Sequence, residues 1–91
     1  RHRPALQFRV RSADDRDALE AAWCLATRMR NAVYSVTGRP SDQVPADFAV
    51  LTSVAFLFGY PPEKRAQLTQ DYLRVTRKAR SVVERVFYEW E

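Results

Sequence analysis

Apolar residues recur along this chain at helical spacing, and the breaks between runs fall at glycine and proline. Leu19, Ala22, Trp23, Ala26, Val33 and Tyr34 share one face at about 3.6 residues per turn, which predicts a first long helix. It opens at Ser12, followed three residues on by Asp15 in the manner of a capping box. Asp14, Asp15 and Asp17 then put negative charge where the helix dipole favours it. It closes near Val36, because Gly38 suits a left-handed exit and Pro40 cannot continue the backbone ladder. Asp47 can cap a second helix, Phe48 to Phe58, closed by Gly59 and Pro61. Its residues are apolar almost all round, a pattern that predicts burial on more than one side. Pro62 and Glu63 suit the first turn of a third helix, along which Leu68, Tyr72, Val75, Ala79, Val82, Val83, Val86 and Trp90 form a continuous stripe. Ahead of all three, residues 1–11 alternate Leu6, Phe8 and Val10 with Gln7, Arg9 and Arg11, a faintly strand-like pattern read as an extended lead-in. The fold expected for residues 12–91 is all-α: a helical bundle of two long helices with one short apolar helix packed on them.

Composition narrows the function more than the fold. A chain of 91 residues supports one modest core. Fifteen Lys and Arg against 11 Asp and Glu leave +4, a mild excess that permits contact with phosphates or acidic surfaces without requiring it. The one cysteine, Cys24, rules out an internal disulfide and fits a reducing compartment, so the expected location is the cytoplasm. The longest uncharged run, Phe48 to Pro62, is interrupted by Gly59 and two prolines and falls short of the ~20 apolar residues of a membrane span. The abrupt start reads as a fragment of a longer protein.

Side chains that could carry chemistry are sparse. His2 is the sole histidine and has no second ligand near it, and Gly38 and Gly59 are too few for a phosphate-cradling loop. Catalytic, cofactor and metal sites are therefore not expected in this chain itself. Cys24 is expected to be buried packing. Arg30, reached by 100° steps from Leu19, falls in the middle of the first helix's apolar stripe, where its charge needs a partner. That partner could be Asp42, Asp71, Glu84 or a helix carbonyl, or it could belong to an adjoining domain. Arg74, Lys78 and Arg85, with Arg77 beside them, form a basic ridge on the third helix, diluted by expected pairs Asp71 with Arg74, Glu84 with Arg80 and Glu89 with Arg85. Only Tyr88 offers a ring near that ridge, which disfavours nucleic acid. The interface candidates are thus Arg30, the apolar Phe48, Leu51, Phe56 and Phe58, and the basic Arg74, Arg77, Lys78 and Arg85.

Three blocks in order carry a family resemblance: Trp23-Cys24-Leu25-Ala26-Thr27-Arg28-Met29-Arg30-Asn31-Ala32, then Gly38-Arg39-Pro40-Ser41-Asp42-Gln43-Val44-Pro45, then Tyr72-Leu73-Arg74-Val75-Thr76-Arg77-Lys78-Ala79-Arg80. Together they resemble the C-terminal helical domain of bacterial glutamine synthetase adenylyltransferases, in the actinobacterial form, over residues 12–87. The resemblance implies a parent enzyme with two nucleotidyltransferase domains, each followed by a helical bundle. One half moves AMP from ATP to a tyrosine of glutamine synthetase, the other removes it, and Mg2+ or a similar ion serves each. The family's Gly-Ser pair and Asp-x-Asp metal motif are absent from this chain. The resemblance therefore implies a bundle following the adenylylating domain, with that domain and glutamine synthetase as partners and a PII-type regulator acting through the parent. Two features depart from the family pattern: a short link between Pro4-Ala5-Leu6 and the first helix, and no Thr-His pair in the connector. The alternative reading is a freestanding helical adaptor that binds an acidic protein surface or nucleic acid.

Overall fold

A computed structural model describes residues 13–90, apart from the side chains of residues 86 and 88–90. The lead-in, the Ser12 cap, His2 and the contributions of Val86, Tyr88, Glu89 and Trp90 lie outside the described residues. Helix α1 spans Ala13–Thr37, α2 spans Phe48–Leu57, a 3-10 turn covers Pro62–Lys64, and α3 runs Arg65–Trp90. The all-α bundle of two long helices and a short apolar one is what the apolar spacing predicts.

The helix ends follow from local chemistry. At Gly38, where α1 stops, φ is +79° and the amide still reaches the Tyr34 carbonyl at 2.8 Å. Asp47 caps α2: its carboxylate accepts from the Val50 amide at 3.0 Å. Replacing Asp47 with alanine orphans that amide and should cost about 1 kcal/mol, read as a lower urea midpoint with unchanged slope. At the other end of α2, Phe58 is the C-cap and Gly59 takes φ +93°. The Gly59 amide donates to the Phe56 carbonyl and the Tyr60 amide to the Ala55 carbonyl, both at 2.9 Å. This paired closure, with Tyr60 and Ala55 also packed in the same apolar cluster, satisfies carbonyls that a frayed end would leave open. Pro62 and Glu63 do lie in the first turn expected for the third helix, but that turn is 3-10 and passes into α3 at Arg65.

Ala18 of α1 packs with Val82 of α3, Asp15 pairs with Arg85, and Met29 shares a cluster with Leu68 and Tyr72. These pairings run in opposite senses along the two helices, so α1 and α3 are antiparallel. The main core is Met29, Ala32, Val33, Val54, Ala55, Leu68 and Tyr72, the one place where all three helices meet. Toward the other end, among the described residues, Ala18, Val82 and the partly buried Leu19 close on each other.

The buried face of α1 is rotated from the one the periodicity predicts. Ala18, Met29, Ala32 and Val33 are buried with Leu25 beside them, whereas Trp23 is 71% exposed and Tyr34 is 57% exposed. Small alanines let α3 approach closely, and the bulky rings stay outside that contact. Two further expectations are corrected. Arg30 lies on the surface, one residue round from Met29, and not in the middle of the buried face. Cys24 is exposed and is not core packing. On α3 the expected stripe holds at Leu68, Tyr72, Ala79 and Val82, and Val83 turns outward at 54% exposure. On α2 only Val54 and Ala55 are buried, so its all-round apolar surface is not covered on several sides by the bundle.

Candidate functional site

The three stretches that carry the family resemblance come together in space. Trp23 and Ala26 from α1, Asp42 and Val44 from the connector, and Tyr72 and Leu73 from α3 line one open groove of about 690 Å³. Its walls are mostly apolar because the alanine face of α1 continues outward past the α1–α3 contact. The connector is pinned to it from within: Val44 packs on the core, and the Tyr72 hydroxyl donates to the Asp42 carbonyl. Burial, then the nearby Asp42 charge, push the Tyr72 pKa up, while Arg30 pulls it down.

A second polar cluster ties the turn after α2 to α3. The Tyr60 hydroxyl donates to Asp71 Oδ2 at 2.6 Å, and Gln67 Nε2 and the Arg74 guanidinium each donate to Oδ1 at 2.9 Å. Donation by Tyr60, Gln67 and Arg74, in that order of weight, holds the Asp71 carboxyl at about 2 against its ordinary 3.8. The Tyr60 hydroxyl is pushed up by the same hydrogen bond and by burial. Because the folded value is the lower one, this stabilisation is present above pH 3.8 and is lost as pH falls through about 2. The Asp71→Asn variant should accordingly be less stable than the parent at pH 7. The difference should shrink between pH 4 and pH 2 in parallel urea titrations. Gln67 and Arg74 are legible partners of Asp71 on one helix face; Tyr60, which reaches it across the turn, has no local signature.

The remaining interface candidates separate. Phe48 and Phe56 are 63% and 69% exposed, with Leu57 beside them at 52%. The Arg65 guanidinium lies 3.8 Å from the Phe48 ring centroid, a contact worth about 0.5–1 kcal/mol at an exposed site. Leu51 and Phe58 instead pack against the core, and Arg28 covers the Phe58 ring at 4.4 Å. The basic ridge is also divided. Arg74 is held by Asp71 at 2.9 Å as expected. Arg85 pairs with Asp15 of α1, while its expected partner Glu89 is outside the described side chains. Arg77 and Lys78 are exposed. Among the described residues no three His, Cys, Asp or Glu side chains converge as metal ligands, and no helix is long and apolar enough to cross a membrane.

Known proteins match this arrangement in sequence. Residues 5–87 match the family described as GlnD PII-uridylyltransferase. The bifunctional glutamine synthetase adenylyltransferase/adenylyl-removing enzyme of Mycobacterium avium (strain 104) is 45% identical over 75 residues, covering 82% of this chain and 8% of that protein. The enzyme of the same description from Leifsonia xyli subsp. xyli is 46% identical over 77 residues, 85% of this chain and 8% of its own length. That of Streptomyces avermitilis is 42% identical over 92 residues, and the match takes in 97% of this chain and 9% of the relative. The chain thus spans less than a tenth of the curated relatives it matches. No solved structure matches it. The chain belongs to the GlnD PII-uridylyltransferase family, within which it matches a fragment of the bifunctional glutamine synthetase adenylyltransferases.

Proposed function

We propose that this chain is the C-terminal helical bundle of a glutamine synthetase adenylyltransferase, and that it supports AMP transfer by packing on the preceding nucleotidyltransferase domain. The observation that carries this reading is the exposure of three large apolar side chains of α2, Phe48, Phe56 and Leu57, in a chain that matches only 8% of a much longer relative. Three large apolar side chains left outside a small core are a surface suited to a neighbouring domain. In this reading ATP and Mg2+ are held by the catalytic domain. The bundle supplies shape, an apolar seat and the exposed cations Arg77 and Lys78, with Arg74 tethered beside them, for orienting ATP or glutamine synthetase. The parent enzyme works in the cytoplasm, where a PII-type regulator acts on it as a whole.

The test is made in the full-length enzyme. Aspartate at both Phe56 and Leu57 should lower the rate of AMP transfer to glutamine synthetase by about tenfold or more, since an interface of this kind does not tolerate buried unpaired charge. Reversing Arg74, Arg77 and Lys78 to glutamate should raise the KM for glutamine synthetase or ATP, with a smaller effect on kcat. Unchanged rates in the first variant would remove the docking role of α2, and unchanged KM values in the second would remove the role of the ridge.

A further inference from the structure

Trp23 stands between the apolar groove and the start of α1. It forms part of the groove wall opposite Tyr72 and Leu73, and it also lines a shallow recess with Arg16, Asp17, Leu19 and Glu20, residues of the first turns of the helix. The lead-in joins α1 at Ala13, the end nearest that recess. Trp23 lies about 15 Å along the helix from Ala13. At roughly 3.3 Å per residue, an extended segment doubling back from Ala13 would bring Phe8 to about the same level, Val10 to the level of Leu19 and Leu6 beyond Trp23 toward Ala26. Leu6, Phe8 and Val10 alternate with Gln7, Arg9 and Arg11, so an extended backbone puts the three apolar side chains on one side.

We propose that the groove is the seat of the chain's own lead-in, residues 6–10, laid back along α1 with Phe8 against Trp23 and Leu73 and with Gln7 and Arg9 turned to solvent. Tethering selects this occupant. A segment joined to the helix that forms one wall is present at an effective concentration in the millimolar range, so weak affinity suffices to fill the groove. The alternation fits as well, because a groove with apolar walls takes one side of an extended segment and leaves the other to water. The family match begins at residue 5, and the Streptomyces avermitilis match takes in 97% of this chain, so Leu6, Phe8 and Val10 belong to the same unit as the bundle. A seat filled by proximity more than by affinity adds little to the stability of the bundle. Its effect is to fix where the chain enters, on a surface to which α2 contributes no lining residue.

Trp23 itself reports whether it is covered. In the 91-residue chain carrying Trp90→Phe, Trp23 is the sole indole. Its emission and its quenching by acrylamide are compared with those of a Leu6→Asp/Phe8→Asp variant and of a Gln7→Asp/Arg9→Gln variant, all checked for helicity. Both pairs lower the net charge equally and differ in the side of the lead-in they alter. Emission should move to longer wavelength and quenching should increase in the first pair, and both should stay at the parent's values in the second. A response in the Gln7/Arg9 pair, or none in the Leu6/Phe8 pair, would overturn the proposal. So would a shielded Trp23 whose emission depends on protein concentration, which would give the groove to a second copy, or one shielded only in the full-length enzyme, which would give it to the preceding domain.

Discussion

Replacing Met29 with alanine is expected to cost about 3 kcal/mol and to lower the thermal midpoint of the 91-residue chain by roughly 15 °C. Met29 is fully buried in the cluster where α1 meets both α2 and α3, so its truncation leaves a void that three helices line and none can easily fill. A small core has few other contacts to share the loss. The informative comparison is Trp23→Ala in the same measurement. Periodicity places the tryptophan in the core, yet at 71% exposure it has little buried area to lose, and its removal should change stability by no more than about 0.5 kcal/mol. Equal costs for the two variants would mean that α1 is rotated back toward the face its larger side chains define.

The second large effect is expected at Val54. This side chain is fully buried, and with Ala55 it makes up the buried part of α2. A ten-residue helix is not stable in water by itself, so α2 persists because Val54 and Ala55 are held in the cluster and because Asp47 and the Gly59 closure satisfy its ends. The Val54→Asp substitution puts a carboxylate where no described cation pairs with it, and the helix should leave the core to solvate that charge at a cost of at least about 3–4 kcal/mol. Hydrogen exchange should then show loss of amide protection across residues 48–57. Retained protection in α2 would show that its capping suffices without the apolar anchor.

Much of this molecule is legible before any coordinates are considered, for reasons that differ from element to element. The boundaries of α2 follow from Asp47, Gly59 and Pro61, whose effects are local and act through backbone geometry. The stripe of α3 is readable because its polar and apolar faces are well separated, and Leu68, Tyr72, Ala79 and Val82 fall where it predicts. The face of α1 is harder. Alanines at 18, 22, 26 and 32 are compatible with either side of the helix, so the choice falls to the largest side chains, Trp23 and Tyr34. Packing against α3 goes the other way, since close approach favours alanine and leaves the rings outside. The misplacement of Arg30 follows from that one rotation, whereas the burial expected of Cys24 rests on residue type alone. The groove is not legible from any single helix, because its walls come from three segments far apart in sequence, between Ala22 and Thr76. The family resemblance names those segments without saying that they meet. Asp71 shows the same division: Gln67 and Arg74 are neighbours on its own helix, but Tyr60 depends on how the chain turns at Gly59.

The uneven distribution of the core between the two ends of the long helices has a mechanical consequence. Near the connector, α1 and α3 are joined by Met29, Leu68 and Tyr72 together with α2, whereas among the described residues the far end is joined by Ala18, Val82, the partly buried Leu19 and a partly exposed Asp15–Arg85 pair. The bundle is accordingly a pair of tongs with a stiff pivot and light tips. Among the described residues, separating the tips disturbs little buried area and leaves the pivot intact, so amides early in α1 and late in α3 should open far more often than those around Met29. A partner that grips the tips could vary the angle between the long helices without unfolding the part of the molecule that holds them together.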